Sequence, residues 1–242
     1  MSNSSLSSIK KLERRLLRPE SYSGVVQRPL DKLKWREIDR DVRSYADEQT
    51  MNVLQIGAND GRHSDPINRY IKEYGWGGVL VEPVPRQFDR LVETYRDNHQ
   101  LQFVNSAITN HDGTVEMYSS IDHAGALQGK DTIHQEVLDK HSWMVDDFRS
   151  QIEKIEVEAL TLQTLLGSTG LRAIDFLVID TEGHDKVIFD QFDLDKFRPQ
   201  FVMIEHCHVE KSDKKQLQTR LGDAGYRLTN LRRDIFAAKM SA

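Results

Sequence analysis

One stretch constrains the fold of this chain more than any other: residues 51–61 read MNVLQIGANDG. An apolar run enters a short loop bracketed by glycines, which is typical of a buried strand that ends in a sharp turn. Glycine accepts backbone angles that a Cβ forbids, and it lets main-chain N–H groups approach a ligand closely. We therefore predict a ligand-binding loop made of Gly57, Ala58, Asn59, Asp60 and Gly61.

A second apolar run, residues 79–81, ends in Glu82. Glu82 lies about 25 residues beyond Gly57, close to the roughly 20 that separate a glycine loop from the acid that binds ribose hydroxyls. Residues 101–108 predict a third strand, and residues 110–113 predict a hairpin turn into a return strand. Further apolar runs follow, alternating with helical patterns. This alternation predicts an α/β fold with a parallel sheet between two layers of helices.

Two regions lie outside this alternation. Residues 1–50 form an N-terminal extension in which 9–17 and 35–45 carry apolar residues at helical spacing. These helices pack on the domain edge, or they cap a pocket or form a dimer contact that makes the protein a homo-oligomer. Residues 119–154 are a polar insertion in the domain of residues 51–242, and we expect a substrate lid there because long irregular insertions are commonly functional.

Composition excludes several classes of protein. Charged residues make up 29% of the chain and the net charge is −5, which argues against binding nucleic acid by general phosphate attraction. No apolar run approaches the ~18 residues that a membrane span requires. Cys207 is the only cysteine, so an internal disulfide is impossible and a reducing compartment is indicated. We expect a cytoplasmic location.

Polar residues collect where the predicted strands end. In an open α/β sheet, ligands bind outside the carboxyl ends of the strands, where the strand order reverses. Here those ends carry Glu82, Ser106, Asp180 and Glu205. Each carboxylate alone is consistent with a helix N-cap or a solvated loop, but the set along one edge of a sheet indicates a site.

These residues resemble a known family. The glycine loop, the Val-Glu-Pro segment through Pro83, residues 105–107 and above all Asp180 to Asp185 look like the FkbM-type methyltransferases. The resemblance implies a three-layer, Rossmann-like class I methyltransferase fold with about seven strands, mostly parallel, and an antiparallel last strand. It also implies S-adenosyl-L-methionine (SAM) as cofactor. Gln55 and Val178 depart from the family pattern, which carries an acid and a lysine there.

The resemblance also implies roles for individual residues. The glycine loop would wrap the methionine part of SAM, Glu82 and Pro83 would lie beside the ribose, and Ser106 and Ala107 would border the adenine. Asp180 would lie beside the sulfonium and the acceptor. The implied activity is O-methylation of a hydroxyl on a sugar, glycan or natural product.

A hydroxyl is a poor nucleophile and must lose its proton, so a base or a metal ion can assist. Asp180 and His184 are the candidate bases, although His184 also fits an ordinary helix start. Asp180, Glu205 and His206 could hold Mg²⁺ or another divalent cation. Alternatively, His206 and His208 could bind a softer metal, or these groups could simply be hydrogen-bonded at a strand end.

Two other functions remain open from the sequence. A nicotinamide-dependent oxidoreductase would also suit the first half, but the loop does not read G-x-G-x-x-G. A methyltransferase-like binding module without activity is the non-enzymatic alternative. The presence of Asp180, Glu182 and Asp185 favours an enzyme.

Overall fold

The computed structural model describes residues 29–121, 131–139 and 148–240. The predicted helix at residues 9–17 lies outside this range, as do His123, His141 and Trp143 of the predicted lid. Among the described residues, no helix is long and apolar enough to span a membrane.

The architecture is α/β with two sheets. The helices are α1 (Pro29–Ala46), α2 (Asn68–Tyr74), α3 (Pro85–Thr94), α4 (Gln135–Asp139), α5 (Leu162–Thr169), α6 (Asp185–Asp190), α7 (Leu194–Phe197) and α8 (Lys211–Asp223), and a 3-10 turn covers Phe148–Gln151. The strands are β1 (Asn52–Ile56), β2 (Gly77–Val81), β3 (Leu101–Val104), β4 (Ala107–Thr109), β5 (Gly113–Ser120), β6 (Ile152–Thr161), β7 (Phe176–Ile179), β8 (Phe201–Glu205), β9 (Tyr226–Asn230) and β10 (Asp234–Lys239).

The main sheet confirms the predicted fold class. Its order is β3-β2-β1-β7-β8-β10-β9. Strands β3, β2, β1, β7 and β8 are parallel, and β10 runs antiparallel to both of its neighbours. The chain builds outwards from β1 to β3 and then returns to place β7 on the other side of β1. The order therefore reverses between β1 and β7, the position at which α/β sheets bind ligands.

Alternate residues of the central strands face two hydrophobic cores. Val53 and Phe176 belong to the core beneath α1 and α2, which also contains Ile38. Leu54 and Leu177 belong to the opposite core, beneath α5, α6 and α8. A strand buried on both faces reads as a continuous apolar run, which is why β1 and β7 were visible in the sequence. Helix α1 contributes Ile38 and Val42 to the core on one face of the main sheet.

The predicted third strand is divided in two, and the predicted hairpin pairing is wrong. Residues 101–108 split into β3, in the main sheet, and β4, in a second sheet of order β4-β6-β5. Strand β6 lies between β4 and β5, so those two strands do not pair across the turn at residues 110–113. Asp112 instead accepts hydrogen bonds from the Thr161 backbone and the Thr164 hydroxyl, at the start of α5.

Candidate active site

The glycine loop lies where β1 and β7 end side by side. The backbone N–H groups of Gly57 and Ala58 both donate to the Val81 carbonyl, at 3.0 and 2.9 Å. Gly57 has φ +83°, and a Cβ built on it would lie 1.8 Å from the Asp180 carbonyl oxygen. No side chain fits in that gap. Glycine is therefore required at position 57 by both its dihedral angle and the close approach of another backbone.

Glu82 links the glycine loop to the end of β2. Its side chain accepts hydrogen bonds from the Asn59 backbone, at 2.8 Å, and the Val84 backbone, at 2.9 Å. Burial raises its pKa to about 8, and the nearby Asp131 carboxylate adds to the effect. The residue predicted to bind ribose thus braces the loop that is predicted to bind the rest of the cofactor.

The adenine side of the predicted site begins at the end of β3. The side-chain amide of Asn105 donates to the carbonyls of Glu82, at 2.8 Å, and Pro83, at 3.0 Å. Ser106 is completely buried, and its hydroxyl donates to Glu158 at 2.6 Å. Sequence reasoning missed Glu158, because this residue lies on β6, far along the chain. Ala107 follows Ser106 as the first residue of β4.

The loop after β7 is held by its own acidic residue. Asp185 is completely buried and accepts hydrogen bonds from the backbones of Thr181, at 2.9 Å, and Gly183, at 3.0 Å. Burial raises its pKa to about 7, with a further contribution from the Asp180 carboxylate. Asp180 itself is half-buried, and its backbone N–H donates to the Ile56 carbonyl at 3.0 Å. Its backbone therefore lies against the start of the glycine loop.

Arg233 is a second residue of the candidate site that sequence reasoning missed. Its guanidinium contacts the Glu205 carboxylate through Nε, at 3.1 Å, and through Nη2, which also lies 3.3 Å from Oε1 of Glu182. Burial nevertheless raises the pKa of Glu205 to about 8, assisted by the Glu182 and Asp185 carboxylates. No local sequence pattern pairs Arg233 with either acid, because it lies 28 residues beyond Glu205 and 51 residues beyond Glu182.

Part of the predicted lid lies directly over the acidic loop. The hydroxyl of Thr132 donates to the Glu182 carbonyl at 2.8 Å. Nε2 of His134 lies 3.2 Å from Nδ1 of His184. Burial and the neighbouring His134 lower the pKa of His184 to about 4, so this imidazole is neutral at neutral pH. The described residues 131–139 thus connect the insertion to the strand end that carries Asp180 and His184.

The predicted metal ligands separate into two groups. Ligating atoms of Asp180, Glu182 and Glu205 lie within 4.8 Å of one another. A second group, with the same spacing limit, consists of Glu205, Cys207 and His208. His206 is in neither group, since its Nε2 lies 3.3 Å from the Leu231 carbonyl and 3.2 Å from Nζ of Lys214. The structure therefore brings Asp180 and Glu205 together, but it places His206 apart from them.

The raised carboxyl pKa values predict how stability depends on pH. Glu82, Asp185 and Glu205 bind protons more tightly in the folded protein than in the unfolded chain. Their stabilising effect is complete below the unfolded pKa and is lost as the pH rises through the folded pKa. We expect the melting temperature of the ligand-free protein to fall by several degrees between about pH 5 and about pH 8.

Glu82→Gln should reduce the fall in melting temperature between these two pH values. Glu156→Gln, at an exposed carboxylate on β6, is the control that should leave this fall unchanged. The measurement is a set of thermal melts at constant ionic strength. A melting temperature that rises over this interval would contradict the assignment.

Comparison with known proteins identifies the family. The sequence profile of the Methyltransferase FkbM domain matches residues 55–228, more than half of the chain. The chain belongs to the FkbM methyltransferase family. The resemblance read from the glycine loop, Glu82 and residues 180–185 is therefore confirmed at the level of the family.

Two solved structures were compared with this FkbM-family chain. The FkbM methyltransferase from Methylobacillus flagellatus KT superposes with a TM-score of 0.50 at 11% identity, over 78% of this chain and 43% of that one. This chain thus covers less than half of the length of that structure. The N-terminal domain of human METTL16 matches with a TM-score of 0.45 at 12% identity, over 98% of this chain and 80% of that one. A search of curated protein sequences found no significant match.

The residues of the site fit the cofactor that the family implies. Buried polar atoms at Gln55 Oε1, Asn59 Oδ1 and Thr181 Oγ1 have no hydrogen-bond partner among the described residues. Buried polar groups are nearly always satisfied in folded proteins, so orphaned atoms beside a glycine loop indicate a polar ligand. The Asp180 carbonyl oxygen occupies the space beside Gly57 that a side chain would need, so the main chain of the loop approaches the end of β7 closely.

Proposed function

We propose that this FkbM-family protein is a SAM-dependent methyltransferase that methylates a hydroxyl of a sugar, glycan or natural product. The observation that carries the proposal is the position of the glycine loop at the point where the strand order reverses, against the backbone of Asp180 and braced by Glu82. Ligands of α/β sheets bind at this point.

The residues divide the binding task between three strand ends. Gly57 to Gly61 offer backbone groups to the methionine part of SAM. Glu82 and Pro83 lie beside the ribose, and Ser106 and Ala107 border the adenine. When SAM binds, the Glu82 carboxylate accepts hydrogen bonds from the ribose hydroxyls in place of part of its hydrogen bonding with the Asn59 backbone. The conformation of the glycine loop then depends on whether the cofactor is bound.

When bound, SAM supplies a methyl group on a cationic sulfur that is already a good leaving group. The protein must then align the acceptor and move one proton. Asp180 is the group nearest the reacting atoms, and its negative charge favours a cation beside it. His184 is neutral at neutral pH, because burial lowers its pKa to about 4, and a neutral imidazole can accept the hydroxyl proton.

The acceptor side of the site is supplied by the insertion. Thr132 and His134 contact the loop that carries Asp180 and His184, so residues 131–139 border the position of the transferred methyl group. The net charge of −5 favours a neutral acceptor over a polyanion such as nucleic acid. We therefore assign acceptor specificity to this segment.

Calorimetry with SAM and with S-adenosylhomocysteine tests the cofactor assignment. We expect binding in the micromolar range for both and a rise in melting temperature through mass action. NADH serves as the matched competitor, because it would bind in place of SAM if the protein were an oxidoreductase. An absence of heat with both SAM and its product would overturn the proposal.

Asp180→Asn tests the catalytic assignment. Removing the charge while keeping the shape should lower turnover by about 10²–10⁴-fold, the contribution typical of a positioned acid or base, and should change SAM affinity much less. The measurement is transfer of a labelled methyl group from SAM to a panel of sugars and glycans. Asp195→Asn, at an exposed position of α7, is the control. Unchanged turnover in Asp180→Asn would remove Asp180 from the mechanism.

A further inference from the structure

The chain that leaves β8 carries a mixed group of metal-ligating side chains. Glu205 ends the strand, and Cys207 and His208 follow it in a turn closed by the Val209 backbone, which donates to the His206 carbonyl at 3.3 Å. Ligating atoms of Glu205, Cys207 and His208 lie within 4.8 Å of one another. The turn directs His206 elsewhere, towards Leu231 and Lys214.

A separate observation points to a cation at this group. The Glu205 side chain is completely buried, and its Oε1 takes the contacts from Arg233 and Cys207. Its second oxygen, Oε2, is buried without a hydrogen-bond partner anywhere in the described part of the chain. A buried acceptor left in this state costs about 1–3 kcal/mol, and more when it is charged. A bound cation would remove that cost.

The surroundings of His208 match those of a metal-bound histidine. Nε2 of His208 lies 2.8 Å from Oε2 of Glu182, and both side chains are more than nine-tenths buried. Histidines that bind metals commonly hold their second ring nitrogen against a carboxylate, which fixes the orientation of the ring. The Cβ of His208 also lies 3.6 Å from the position that a Cβ on Gly183 would take, so the group adjoins the loop after β7.

We propose that Glu205, Cys207 and His208 bind a borderline divalent transition metal such as Zn²⁺, with Glu182 orienting His208. A thiolate, an imidazole and a carboxylate are the ligands that Zn²⁺ takes in proteins. Binding displaces the thiol proton of Cys207 to solvent and leaves one position of a tetrahedral ion for water. The site is distinct from the proposed SAM site and does not depend on methyl transfer.

The all-carboxylate group of Asp180, Glu182 and Glu205 is the weaker candidate. It would suit Mg²⁺, which retains several waters, but Glu182 and Glu205 are buried. The Arg233 guanidinium already lies against both carboxylates. Asp180 also belongs to the proposed SAM site. The mixed group shares only Glu205 with it and takes its other two ligands, a thiol and an imidazole, from the residues that follow β8.

Cobalt titration of the full chain tests the proposal. We expect the chelator-treated protein to bind one Co²⁺ per chain and to develop the near-ultraviolet absorption band of a cobalt–thiolate bond. Cys207→Ser should abolish the band and weaken Co²⁺ binding by more than the roughly 10–100-fold that loss of an outer partner costs. His206→Ala is the matched control and should keep both the absorption band and the affinity for Co²⁺. Elemental analysis after dialysis against Zn²⁺ should give one equivalent of Zn²⁺.

Several outcomes would overturn the metal site. These are a chain that retains no metal, a cobalt band that persists in Cys207→Ser, or retention of Mg²⁺ in place of Zn²⁺. Cys207 is exposed, so its replacement by serine should leave folding intact; a thermal melt checks this. SAM calorimetry on the same samples separates the two proposals. Normal SAM binding without metal overturns only the metal site, and metal binding without SAM binding overturns only the proposed cofactor.

Discussion

Gly57→Ala is expected to unfold the protein or to destabilise it by about 4 kcal/mol or more. The added Cβ would lie 1.8 Å from the Asp180 carbonyl oxygen and 2.8 Å from its carbonyl carbon. Both atoms belong to backbone at the centre of the sheet and cannot rotate away. Relief would require β1 and β7 to separate at the position where their ends form the proposed SAM site. Chemical denaturation and SAM calorimetry measure the two effects.

Gly75→Ala is the matched control for this experiment. Gly75 also has a positive φ, +66°, but among the described residues, apart from its chain neighbours, no atom lies within 4 Å of the position of its added Cβ. Gly75→Ala should therefore lower the free energy of unfolding only by the roughly 1–2 kcal/mol that an alanine in the left-handed conformation costs, and it should leave SAM binding unchanged. Equal destabilisation by the two substitutions would mean that the close approach of Gly57 to Asp180 contributes nothing beyond its dihedral angle.

Arg233→Met should be the most destabilising charge removal near the site. It would leave Glu182 and Glu205 buried without the guanidinium that contacts both. Removing one partner of a buried ion pair costs roughly 3–5 kcal/mol. The Arg233 side chain is 35% exposed, so solvent screening puts the expected loss near the lower end of that range. Chemical denaturation at about pH 7.5 measures it.

The neighbouring arginine provides the control. Arg232 is exposed, and Arg232→Met should change stability by less than about 0.5 kcal/mol. Adding Glu205→Gln to Arg233→Met should restore part of the loss, because no titratable carboxyl group is then buried at position 205 without the guanidinium. If Arg233→Met is as stable as Arg232→Met, the guanidinium does not neutralise these acids.

The elements that could be located from the sequence are those specified by nearby residues. Strands β1 and β7 are buried on both faces and read as continuous apolar runs. Thr161 is a preferred N-cap residue, and its hydroxyl accepts a hydrogen bond from the Thr164 backbone at the start of α5. Proline is favoured in the first turn of a helix, and Pro85 occupies the first turn of α3. In each case the signal lies within a few residues of the element that it specifies.

The error in strand pairing arose because the partner strand is distant along the chain. Strands β4 and β5 follow each other closely, and a turn sequence between two apolar segments normally indicates a hairpin. Both pair instead with β6, some 40 residues further along the chain. Which strand pairs with which depends on burial against the rest of the domain, and a single sequence does not display that choice.

By itself, the sequence determined the wound α/β sheet, the glycine loop and the acids at the strand ends, since dihedral requirements and apolar periodicity act over short stretches. Only the tertiary structure decided which side chains lie next to these residues. Arg233 lies against Glu182 and Glu205, His134 lies against His184, and Cys207 and His208 lie beside Glu205. The order and register of strands set such neighbours, because they bring together segments that are distant along the chain.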